Sequence, residues 1–353
     1  MSKIIVYFHN KKLFIMKKPF LKFNVGLSNS YQTIKEEAEK IELAIENGVE
    51  YVSQISVEKT RLLDMWKLVS SYKTEKTKFA SVPLYESVLL NEPLVETIER
   101  QYNSGVRHFV LDFVPRYLIE QANLDKNFRI NSRTGYFLTE YFKKNPNKNE
   151  NPCIEIIDWV KKFQKQNKDI QFVFNTVLRP GNCANYGIKY LLEEIKYYEK
   201  NNFLSKDAIL EIGGHIRVNN FKTVINALGD TKISLMGPLI TDTTNKYDHI
   251  TNIIGQNIFA SMYKNVVGLL VISPSEHLHL PTLEDDKEAI IHARLCQHQI
   301  GLLYEDEECL KVEDEFNKKT IACNIKKNLF GDIKGLKPCD MCGDFCPLRK
   351  IKK

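Results

Sequence analysis

Asn265-Val266-Val267-Gly268-Leu269-Leu270-Val271-Ile272-Ser273 is apolar on both faces of an extended chain. A strand with one solvated face alternates apolar and polar residues. A strand covered on both faces reads as a continuous aliphatic run. This stretch is therefore expected to be a strand of a parallel sheet. Working back toward the N-terminus, seven further short runs are rich in β-branched or aromatic residues: 21–27, 51–56, 78–84, 108–113, 170–177, 208–213 and 232–239. Amphipathic stretches separate them. Thr33 and Glu36 have capping-box spacing ahead of an apolar stripe of Ile34, Ala38, Ile41 and Ile45, with Gly48 as a stop. Pro93 is suited to a first helical position, with Leu94, Ile98 and Tyr102 behind it and Gly105 at the end. Ile188, Leu191, Leu192, Ile195 and Tyr198 repeat at helical spacing.

Strands that keep alternating with helices predict an α/β fold. Eight such units predict a closed (βα)8 TIM-type barrel, with an open doubly wound sheet as the second arrangement. The expected organisation is an N-terminal segment 1–20, a barrel over 21–304 and a cysteine-bearing tail over 305–353. Within the barrel, 114–169 is long for one crossover and reads as an insertion, with a helix at Glu155–Gln166 and an active-site loop.

Bulk properties narrow the function. The chain has 353 residues, 43% hydrophobic and 27% charged, as expected of a globular protein with a sizeable core. Its net charge of +6 is spread through amphipathic segments, without the basic block of a nucleic-acid arm. No nucleic-acid partner is expected. A mildly basic balance suits a phosphorylated small-molecule substrate. The apolar run Ile4–Phe8 is too short for a membrane span or a secretory signal, so the expectation is a soluble, cytoplasmic protein.

Barrel enzymes gather their chemistry at the C-terminal ends of the strands. Here those ends carry Asn24, Asn29, Gln54, Ser56, Tyr85, Asp112, Thr176, Arg179, Glu211, His215, Asp242 and His277. Loops are polar in any protein, so no single one of these is diagnostic. Three features are sharper. Cys339, Cys342 and Cys346 form a C-x2-C-x3-C run in the tail. Three thiolates on a [4Fe–4S] cluster leave one iron open to S-adenosylmethionine, the arrangement that radical chemistry needs. A structural zinc site with Cys323 as fourth ligand fits the same spacing. His215 and His277 at neighbouring rims are suited to share a divalent metal, zinc or iron, with open positions. His249 and His279 read as structural histidines that orient neighbours. Finally, Arg179 precedes Pro180-Gly181, and Ser132-Arg133-Thr134-Gly135 combines hydroxyl, guanidinium and backbone donors. Both suit a phosphate.

Leu178-Arg179-Pro180-Gly181, Glu211-Ile212-Gly213-Gly214-His215, Gly237-Pro238-Leu239-Ile240-Thr241-Asp242, Tyr247-Asp248-His249-Ile250, Glu276-His277-Leu278 and the terminal cysteines together resemble the phosphomethylpyrimidine synthase family of thiamine biosynthesis. The likeness runs from Lys22 to Pro347, and the chain looks like a short member without the extra N-terminal domain of some relatives. The resemblance implies a (βα)8 barrel, a homodimer, a cluster-bearing tail over the barrel mouth and an electron donor such as flavodoxin or ferredoxin. It implies a radical S-adenosylmethionine carbon–carbon lyase that turns 5-aminoimidazole ribonucleotide into 4-amino-5-hydroxymethyl-2-methylpyrimidine phosphate. Carried over by position, Cys339, Cys342 and Cys346 are the cluster ligands, and His215 and His277 the metal ligands. Tyr85, Ser132, Arg133, Arg179 and Glu211 contact substrate, with Glu211 also catalytic.

The chain departs from the family pattern in places. Its cysteine run is one residue shorter between the last two members. Gly26 stands for an Asn, Ser53 for a Met, Asp112 for a His, Thr176-Val177 for Asp-Gly and Ser234 for a Tyr. Such changes alter which hydrogen bonds a packed site can satisfy. They admit a paralogue with the same radical machinery and another product, such as 5-hydroxybenzimidazole. They also admit a non-catalytic barrel with a zinc tail.

Overall fold

In the computed structural model, the residues described are 18–28, 31–72, 74–181, 187–204, 207–241, 243, 245–274, 276 and 278–318. The tail cysteines, Asn29, Cys183, Asp242 and His277 lie outside them. Eight parallel strands close into one barrel in sequence order. They are β1 (Phe20–Val25), β2 (Tyr51–Gln54), β3 (Lys78–Ser81), β4 (Val106–Asp112), β5 (Gln171–Asn175), β6 (Ile209–Gly214), β7 (Lys232–Pro238) and β8 (Val266–Leu270). The helices are α1 (Ile34–Glu46), α2 (Leu62–Ser71), α3 (Pro83–Leu90), α4 (Leu94–Asn103), α5 (Arg116–Leu124), α6 (Arg133–Lys144), α7 (Pro152–Glu155), α8 (Ile157–Gln166), α9 (Lys189–Lys200), α10 (Phe221–Leu228), α11 (Asp248–Met262), α12 (Leu283–Leu303) and α13 (Glu307–Lys318). Among the described residues no helix is long and apolar enough to cross a membrane.

All eight strands fall where the apolar runs lie, with ends shifted by up to three residues. The reasons are local. The run 78–84 ends its ladder at Ser81 because Pro83, which has no N–H to donate, opens α3 instead. Thr33 makes the expected capping box with Glu36. Pro93 takes the N-cap position, one residue before α4. The insertion 114–169 holds more than one helix and a loop: α5, α6 and the short α7 precede α8. Ser132 caps α6 by accepting the Gly135 N–H at 3.0 Å.

Barrel closure joins β1 to β8, with Phe20 beside Gly268 and Lys22 beside Leu270. Gly268 has a steric reason. A Cβ there would lie 2.4 Å from the Phe20 ring and 2.7 Å from Ser234 Oγ. Phe20 meets Tyr51 and His108 edge-on, at centroid distances of 4.8 and 5.9 Å, and these rings fill the lower interior. Between sheet and helices, buried aliphatic and aromatic side chains such as Ile41, Met65, Ile98, Phe109 and Leu191 form the main core.

Contacts divide the chain into two compact units. Pro19–Ile300 contains the barrel, and the other unit joins the N-terminal residues to those from Gly301 onward. In that second unit the Lys18 backbone N–H donates to Asp306 at 2.9 Å, and its ammonium pairs with Glu308 at 2.6 Å. Cys309 is buried there, and its N–H donates to Asp306.

Candidate active site at the barrel mouth

Inward-facing strand residues set the floor of a cavity. Lys22 and Asn24 of β1, Ser53 of β2, Val110 of β4, Asn175 of β5, Glu211 of β6 and Leu270 of β8 all line it. Ladder register explains the grouping, since Asn24 lies beside Ser53, and Asn175 beside Glu211. Side chains on paired residues of a parallel ladder point to the same face. The cavity volume is about 200 Å3, several times the ~30 Å3 share of one water. It is large enough to bind a ligand.

The rim is polar and mostly cationic. Arg133 is the first residue of α6, and its guanidinium donates to the Ile55 carbonyl at 3.1 Å. It lies 6.0 Å from the Tyr85 ring centre. Asn131, Ser132 and Arg133 all face the cavity at the N-terminus of α6, where unpaired N–H groups and the helix dipole favour an anion. Arg179, also on the wall of the cavity, is held by its own loop. Its Nε donates to the Thr176 carbonyl at 2.7 Å and Nη2 to Asn175 Oδ1 at 2.8 Å. The loop in turn is tied to β6, for His215 N–H donates to the Pro180 carbonyl at 2.9 Å. Gly214 permits this approach, because a Cβ there would sit 2.2 Å from the same oxygen.

Beneath the rim, Lys22 Nζ pairs with Glu211 Oε1, with both side chains almost fully buried. An ion pair removed from water needs its partner, because either charge alone would be strongly disfavoured. Glu276 supplies a second carboxyl to the cavity. Burial pushes its pKa up to about 7 although the Ser273 N–H bonds it at 2.9 Å. A carboxyl poised there can exchange a proton near neutral pH. Burial also raises the Tyr85 hydroxyl above its ordinary value, with Asp112 adding to the shift, so the phenol stays neutral.

Of the residues expected from the sequence, Tyr85, Ser132, Arg133, Arg179, Glu211 and His215 converge on this one cavity. Cys339, Cys342, Cys346 and His277 lie outside the described residues. Thr176 and Asp112 do not line it. Thr176 turns its hydroxyl to the Glu211 carbonyl at 3.0 Å, and Asp112 accepts from Asn175 Nδ2 at 2.6 Å. Asn175, one residue earlier on β5, takes the inward position instead. Lys22, Asn131 and Asn175 are polar lining residues that the sequence did not single out, and Glu276 stood out only as part of Glu276-His277-Leu278. The signal for Lys22 was a lysine inside the apolar stretch Phe20–Phe23.

A second group of potential ligands stands elsewhere. His249, Glu288 and His292 each place a ligand atom within 4.8 Å of the others. None of the three lines the barrel cavity.

Comparison with known proteins adds a lineage. A model of the radical SAM ThiC family matches residues 15–353. The chain is 28% identical to the phosphomethylpyrimidine synthase of Finegoldia magna, over 95% of this chain and 83% of that protein. It is 27% identical to the enzyme of the same name from Desulforamulus reducens, over 93% and 82%. With that of Pyrococcus furiosus it shares 23% identity over 94% and 83%.

Proposed function

Because the chain belongs to the radical SAM ThiC family, we propose that it is a phosphomethylpyrimidine synthase of thiamine biosynthesis acting at the barrel mouth on 5-aminoimidazole ribonucleotide. One observation carries the reading. Two arginines and a helix N-terminus converge on a cavity whose floor is a buried lysine–glutamate pair. A phosphorylated heterocycle matches that division, with the anion at the rim and the polar ring below.

Arg133 and Arg179 bind the phosphate, with the α6 N-terminus beside Arg133. Glu211, held in place by Lys22, accepts a hydrogen bond from the heterocycle. Glu276 holds or releases a proton near pH 7. Tyr85 walls the site and keeps water off one side. Cys339, Cys342 and Cys346 would hold a [4Fe–4S] cluster, which would supply one-electron reduction of S-adenosylmethionine for radical chemistry. His215, with His277, would hold a divalent metal at the rim.

A second reading keeps the radical chemistry and changes the product. Its support is Ser53, which lines the cavity where the family pattern has a larger side chain. A roomier pocket need not hold the ring in the same pose.

The test is an anaerobic assay of protein reconstituted with iron and sulfide. It contains S-adenosylmethionine, dithionite and the ribonucleotide. The proposal expects 5′-deoxyadenosine and the pyrimidine phosphate together. Deoxyadenosine with a different product supports the second reading. If neither compound forms, both fail.

A further inference from the structure

We propose that His249, Glu288 and His292 form a transition-metal site, separate from the barrel cavity, that joins the N-terminal turn of α11 to the first half of α12. Glu288 and His292 are four residues apart on α12, so their side chains share one face of that helix. His249 is the second residue of α11 and brings its ring to the same point. His249 Nε2 lies 3.1 Å from Glu288 Oε1. Ligands about 2.0–2.1 Å from a tetrahedral zinc stand roughly 3.3 Å apart, so this edge is already near its bound length. The two imidazole rings lie 5.0 Å apart at 42°, and a modest rotation of His292 completes the triangle.

Hydrogen bonding alone does not account for the group. A His–Glu contact needs two residues, yet the His292 ring lies tilted beside it. Nδ1 of His292 is buried without a hydrogen-bond partner. An orphaned buried ring nitrogen is costly, and a metal bound there would remove that cost. Two imidazoles and one carboxylate favour zinc or a similar divalent ion over calcium or magnesium. Glu288 is half exposed, which leaves a position for a water ligand on the solvent side.

The experiment titrates Co2+ into metal-free, full-length protein and into His292→Ala and Glu288→Gln. Each variant should bind one equivalent less than wild type, while absorption from thiolate-bound cobalt is unchanged. Zn2+ should raise the Tm of wild type more than that of either variant. In wild type alone, Zn2+ should also protect His292 from diethyl pyrocarbonate, read by mass spectrometry of the peptide. Equal stoichiometry and equal Tm shifts would overturn the site, as would unchanged labelling of wild-type His292 should the variants fail to fold.

Discussion

Lys22 and Glu211 show how much one buried contact can demand. Both charges are out of water and rely on each other. Lys22→Met should destabilise the fold by about 3 kcal/mol, since it strands a carboxylate. Adding Glu211→Gln should recover at least about 1 kcal/mol of that loss, read from urea midpoints of the four proteins of the cycle. Asp112 makes a different demand. Burial raises its pKa to about 7, although Asn175 donates to it. The folded carboxyl therefore keeps its proton at pH values where the unfolded one has lost it. The unfolded state binds fewer protons between about pH 4 and 7, so stability falls as pH rises through that window. Asp112→Asn should remove part of this decline, a difference on the order of a few kcal/mol at pH 8, measured by denaturation at pH 5 and pH 8. At this scale the sequence was legible where a residue is polar in a loop, as with Arg133 and Arg179. It was less so where a strand's two faces had to be told apart. Thr176 and Asn175 are adjacent and both polar, and the inward residue follows only from the ladder register.

Elements position these side chains through contacts far apart in sequence. Glu194 of α9 accepts the N–H groups of Val177 and Leu178 at 2.8–3.0 Å and the Tyr198 hydroxyl at 2.8 Å. The Tyr198 hydroxyl shares its one proton between Glu194 and the Asn175 carbonyl, 2.7 Å away, and accepts from the Phe113 N–H at 3.1 Å. A single helix thus fixes the turn that carries Arg179. Tyr198→Phe leaves a buried N–H unpaired and should cost about 1–3 kcal/mol. It should also weaken phosphate binding, although Tyr198 does not line the cavity. Ser132→Ala removes the α6 cap and should cost about 1 kcal/mol in thermal unfolding. The periodicity of α1, α4 and α9 was visible because their apolar stripes are clean. Within the insertion only α8 was visible; α5, α6 and α7 were not. Tyr117, Leu124 and Tyr136 are exposed apolar residues on α5 and α6, and they blur the pattern.

For the whole molecule, the apolar runs pointed to a parallel sheet sheltered on both faces, and their number, eight, pointed to a closed barrel ahead of an open doubly wound sheet. The interior filling was not legible. Gly268 makes room for Phe20 across the β1–β8 seam, and nothing near it in sequence says so. Gly268→Val should destabilise the barrel by at least about 2 kcal/mol, measured as a fall in Tm, because the ring and the new side chain compete for one space. The proposed function rests on the barrel mouth binding a phosphorylated ligand. The direct test is calorimetric titration of 5-aminoimidazole ribonucleotide, and of its dephosphorylated nucleoside, into wild type and Arg179→Met. The ribonucleotide should bind at least tenfold more weakly to Arg179→Met, while the nucleoside binds the two proteins alike. Equal ribonucleotide affinity for both proteins would contradict the assignment of this cavity.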